Sequence, residues 1–121
     1  MKICSYLLCF VLVFYSCQSI KTSTLFLENG ISKELAVYRK SQVLNVSYDL
    51  SFEIPKEKEL PIISQLALKV NLGTIQEPLY LDFNEKKENL KSVIVNGKMV
   101  VILHEKEHLI IPKEYLIKGH N

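Results

Sequence analysis

Past position 17 the chain has no cysteine: Cys4, Cys9 and Cys17 are all it possesses. A domain built from the remainder therefore has no internal disulfide, no thiolate metal site and no nucleophilic thiol. Concentrated positive charge is missing as well. Formal net charge is +2, and Lys and Glu are interleaved, as in Lys56-Glu57-Lys58-Glu59 and Glu85-Lys86-Lys87-Glu88. Without a basic stripe or a basic patch interleaved with aromatics, nucleic-acid binding has no electrostatic footprint, and neither has a polybasic membrane surface. A glycine-rich phosphate loop and a nucleophile elbow are also lacking. The one long apolar run, Ile3 to Tyr15 broken by Ser5, is shorter than the about 20 residues that a permanent bilayer-spanning helix needs.

What is present begins with that run. Met1-Lys2, the short apolar core and the small residue Ser16 are the parts of a secretory signal peptide over residues 1–16. Cys17 follows directly. Phe14-Tyr15-Ser16-Cys17 resembles a bacterial lipobox, although the aromatics at 14 and 15 depart from its strictest form. The resemblance implies lipidation at Cys17 and a lipoprotein anchored by its lipid to a membrane of the cell envelope. The plainer reading is an ordinary signal peptide with Cys17 an incidental thiol. Residues 17–29, polar and irregular around Lys21-Thr22-Ser23-Thr24, are expected to be a flexible tether.

From residue 30 the pattern becomes regular. Ser32 predicts an N-cap for a short helix from Lys33 to about Lys40, with Leu35 and Tyr38 on one face. Leu44, Val46, Tyr48, Leu50, Phe52 and Ile54 then alternate with polar residues, which predicts a strand with one face in a core and the other in water. A second strand carries Leu66, Leu68, Val70 and Leu72, and Gly73 ends it. Leu79 to Phe83 gives a third. Val93 to Val95 runs into Asn96-Gly97, the dipeptide a type I′ hairpin prefers, and Met99 to Leu103 leaves it. Leu109 to Ile111 is a further strand closed by Pro112, and Gly119-His120-Asn121 reads as a turn. The expected fold is mainly β, an antiparallel sandwich or saddle-like sheet with one short N-terminal helix.

His104-Glu105-Lys106-Glu107-His108 matches His-Glu-x-x-His. On a helix that spacing puts two histidines on one face to hold zinc, with the glutamate activating the metal-bound water. Here strand-forming residues flank the match on both sides and Pro112 would break a helix one turn later. A catalytic zinc also takes a third protein ligand, and neither the thermolysin-type nor the metzincin arrangement supplies one. We read His104, Glu105 and His108 as a coincidental match at a hairpin turn, with both histidines at its base in solvent. Glu28, Asp49 and Asp82 read as solvated charges. No catalytic and no metal-binding residue is assigned on the chain.

The words and their order carry one further signal. Gly30-Ile31-Ser32-Lys33-Glu34-Leu35-Ala36-Val37-Tyr38-Arg39-Lys40 leads into Val46-Ser47-Tyr48-Asp49-Leu50-Ser51-Phe52-Glu53-Ile54-Pro55. Then come Pro78-Leu79-Tyr80-Leu81-Asp82-Phe83, Val93-Ile94-Val95-Asn96-Gly97-Lys98 and Glu107-His108-Leu109-Ile110-Ile111-Pro112. Together these resemble the beginning of the aminopeptidase N family of zinc metallopeptidases, especially its exported bacterial members. The resemblance covers residues 30–121. It implies a non-catalytic N-terminal β-domain, here expected to be incomplete, that packs against a separate thermolysin-like catalytic domain. In that family the zinc, its ligands and the loop for the substrate's amino group lie far downstream, so no catalytic role passes to residues of this chain. Alone, it is expected to be inactive. The competing expectation is a free-standing envelope β-module that binds a protein or peptide.

Overall fold

The computed structural model describes residues 27–121; the expected export segment and Cys17 lie outside them. The described chain is mainly β, with antiparallel sheets and one α-helix. In order it runs α1 (Lys33–Gln42), β1 (Val43–Glu53), β2 (Ile63–Leu72), β3 (Leu79–Asp82), β4 (Val93–Val95), β5 (Lys98–Val100), β6 (Leu103–Glu105), β7 (His108–Ile111) and β8 (Gly119–His120). No helix among the described residues is long and apolar enough to cross a membrane.

Helix α1 starts where its cap dictates. Ser32 is extended, and its Oγ accepts from the Leu35 backbone N–H at 3.0 Å, satisfying a donor that the first turn leaves without a partner. Glu34 in the first turn and Arg39 and Lys40 in the last complement the helix dipole. The helix runs two residues past Lys40, because Gln42 has partners outside it. Its buried Nε2 donates to the carbonyls of Glu77 (3.2 Å) and Pro78 (3.3 Å). Tyr38 grips the same segment, its hydroxyl accepting from the Glu77 N–H at 3.0 Å.

The centre of the molecule is the sheet β3-β7-β6, with β7 between two antiparallel neighbours. The pleat sorts its side chains. One face presents Leu79, Leu109 and Ile111, which cluster with Val70 and Leu72 of β2 and with Leu116. The opposite face presents Tyr80 and Ile110, which are buried in one cluster with Leu35 of α1, against which Tyr38 and Leu103 also pack. Covered on both sides, β7 is buried at every position, and its apolar residues run consecutively instead of alternating. Leu27, the first described residue, packs beside that second cluster.

The other sheets join the first face from its flank. β4 and β5 close through Asn96-Gly97, both at positive φ (50° and 78°), the geometry for which a type I′ turn selects these two residues. Val93 and Val95 reach the core, while Ile94 and Met99 face outward. The segment after β5 divides: Val101-Ile102 leaves the ladder, and Leu103 begins a new strand. Gly119-His120 forms a short strand on β2, not the turn expected from its sequence, and Asn121 continues the pairing by exchanging two backbone hydrogen bonds with Val70 (2.8 and 3.1 Å).

β1 and β2 form a long ribbon, paired from Val43–Leu72 to Glu53–Ile63. A bulge between Val43 and Asn45 leaves Leu44 without an opposite residue, so the alternation is out of phase there. Val43 takes the core position, and Leu44 lies over Gly73 with 66% of its surface open. Beyond the bulge the period of two holds, but most of the expected core face is uncovered. At the base Val70 and Leu72 are buried; outward along the same face Tyr48 is 68%, Leu50 52%, Phe52 58% and Leu66 51% exposed. Alternation segregates apolar from polar side chains, and it does not guarantee that another element covers the apolar face.

Candidate functional site

The His-Glu-x-x-His match lies in the β6–β7 hairpin. Its turn residues, Lys106 and Glu107, both sit at positive φ (49° and 66°), a conformation in which non-glycine residues are uncommon. Glu107 is fixed there from both ends. Its carbonyl accepts from the Phe83 N–H at 2.8 Å and its carboxylate from the Gly30 N–H at 3.1 Å.

The register decides what the histidines can do. His104 pairs with Leu109 and Glu105 with His108. Residues directly opposite share a face and successive residues alternate, so His104 and His108 project from opposite faces of the ribbon. Two ligands on one metal need one face; on a strand pair this spacing separates them. Among the described residues no cluster of three or more His, Cys, Asp or Glu side chains could hold a metal ion. The residues present therefore do not fit the zinc that the sequence motif suggests.

Nor do the histidines stand in solvent, as the sequence reading had them. His104 is half-buried, with Nε2 2.7 Å from the Phe83 carbonyl and its ring edge-on to Phe83 at 5.6 Å. His108 is 1% exposed on the helix-facing side of the sheet and edge-on to Tyr80 at 6.4 Å. Its Nδ1 lies 3.2 Å from Asp82 Oδ1, off the line of a hydrogen bond.

Asp82, expected to be merely solvated, is instead the meeting point of α1, β3 and β7. Arg39 donates to it twice, Nη1 to Oδ2 at 3.0 Å and Nη2 to Oδ1 at 2.7 Å, the fork-to-fork geometry that favours arginine over lysine. Those guanidinium hydrogen bonds hold the Asp82 carboxyl below the usual carboxylate range, against the opposing effect of partial burial. Burial pushes the Tyr38 phenol up from its ordinary value. The sequence carried a trace of this cluster, since Arg39 is one helical step from Tyr38 and four residues from Leu35; its partner, 43 positions away, had no local signal.

Chemically, the cluster is a clasp. Its carboxylate is occupied by a guanidinium and its imidazole is buried under the helix, so its groups fasten α1 to the sheet. A depression open to solvent lies on α1, lined by Lys33, Glu34, Val37, Tyr38 and Ser41. Compared with protein-family models, with curated proteins and with solved structures, the chain matches none.

Proposed function

We propose that this chain is a non-catalytic β-domain of an exported, lipid-anchored protein resembling aminopeptidase N. In such a protein it would sit at the N-terminal end, with zinc and peptide cleavage belonging to a separate catalytic domain. What carries the reading is the ordered series of sequence words from Gly30 to Pro112. Each falls on a regular element: the capped helix, β1, β3, the β4–β5 turn and β7. The clasp fits the same role, as a device that fastens helix to sheet.

The decisive experiment is to sequence the coding DNA beyond the Asn121 codon. A continuation, in frame or frameshifted, that encodes a helical His-Glu-x-x-His with a distal glutamate is expected; a stop codon with no such sequence beyond it would defeat the reading. For the anchor, metabolic labelling with a fatty-acid analogue is expected to mark the chain and to be lost in Cys17→Ser. Equal labelling of both would remove the lipid from the proposal and leave the β-domain untouched.

The second reading, a free-standing envelope module that binds a protein or peptide, has one observation in its favour. The ribbon of β1 and β2 presents an apolar face that nothing among the described residues covers.

A further inference from the structure

That ribbon face is the feature the clasp and the two clusters leave unexplained. Past its base it carries Val46, Tyr48, Leu50, Phe52 and Leu66, with Ile54 just beyond the strand end, all between 39% and 75% exposed. No charged side chain stands on it; Asp49, Glu53 and Lys69 belong to the opposite face by register. The strand β1 is also an edge of its sheet, and Val43–Glu53 contains neither the lysine nor the proline with which natural edges discourage pairing.

We propose that this face is a self-association surface on which the same face of a second copy of the chain packs. Three properties select that occupant. An uncharged apolar face is complementary to another of the same kind, and a twofold arrangement supplies one without a new partner. Two ribbons with the same period of two interdigitate in the manner of sheets packed face to face about 10 Å apart. The six side chains offer roughly 600 Å² per copy and about 1,200 Å² for a facing pair, the lower bound of a specific stable interface.

A lipid bilayer fits less well. The ribbon tip, Lys56-Glu57-Lys58-Glu59, balances its charges, so no cationic rim draws the face toward anionic headgroups. The inference goes beyond the family reading and the two fail separately, because coding DNA beyond Asn121 and the occupant of this face are measured by different experiments.

The test uses the whole chain in the cells that produce it. A photo-cross-linking residue replaces Phe52 in one culture and Lys69, on the opposite face, in another, with two differently tagged copies expressed together. Position 52 is expected to give an adduct of twice the chain's mass containing both tags, and position 69 none. Leu50→Asp would bury a carboxylate in the interface and is expected to cut the adduct about tenfold or more, whereas Ser51→Asp on the other face leaves it. Since Leu50 is exposed in the single chain, circular dichroism of Leu50→Asp should match the parent. Adducts from position 52 with a different protein or with lipid only, or no adduct at all, would overturn the proposal.

Discussion

Asp82 shows how one residue can be misjudged from its neighbours in sequence. Within Pro78-Leu79-Tyr80-Leu81-Asp82-Phe83 it reads as the polar end of a strand, and its surface is indeed about half open. Its role comes from Arg39 and His108, which the fold brings to it from other elements, and hydrophobic periodicity does not encode such pairings. Its pKa is lower in the fold than in the unfolded chain. The stabilisation is therefore complete above the ordinary carboxylate range and is lost as pH falls through the lowered value. Asp82→Asn is expected to cost about 0.5–1 kcal/mol at neutral pH, as a half-exposed bidentate pair should. The gap to the parent should close on acidification below about pH 4. Denaturant titrations across pH would show it; a gap that widens in acid would contradict the assignment. For His104 and His108, metal analysis of the purified whole chain is expected to find no stoichiometric zinc, because the two rings face apart. Zinc bound one to one and lost in the His104→Ala, His108→Ala pair would refute that geometry.

At the scale of elements, legibility follows how local the determining interaction is. The start of α1 is set by Ser32 and Leu35, three residues apart, and was readable. Its end depends on Gln42 reaching Glu77 and Pro78, about 35 positions away, and was not. Both hairpin turns were readable, but for different reasons. Asn96-Gly97 carries the residues its geometry favours, whereas Lys106-Glu107 was marked only by the strands on either side, adopts positive φ without such residues and is held by contacts to Phe83 and Gly30. The Ser32 cap and the Leu35 anchor make separable contributions to the helix. Ser32→Ala should cost about 1 kcal/mol by leaving a backbone donor unpaired. Leu35→Ala should cost about 2–5 kcal/mol, because the side chain is fully buried against Tyr80 and Ile110. Chemical denaturation of both variants ranks them; equal losses would mean that α1 is held by its cap rather than by the sheet.

Across the whole molecule, stability is concentrated around β7 and thins toward the ribbon tip. β7 is covered by α1 on one face and by the base of the ribbon on the other, so exposing its amides requires breaking both clusters. Beyond Val70, β1 and β2 have, among the described residues, only each other for backbone pairing, and a two-stranded ribbon by itself is marginal in water. Local opening should therefore cost progressively less from base to tip. Hydrogen exchange on the whole chain is expected to find the slowest amides in His108–Ile111. In dilute protein, those of β1 and β2 beyond the Val46–Val70 pair should exchange several-fold to many-fold faster. The concentration dependence separates the two layers of this picture. If a second copy closes over the ribbon, protection near Leu50 and Phe52 should rise with protein concentration, since bound partner stabilises by mass action, while β7 should slow only to the extent that global unfolding is suppressed. Tip amides as slow as those of β7 in dilute protein would show that the ribbon shares fully in the core's cooperativity, and would contradict the gradient drawn from burial.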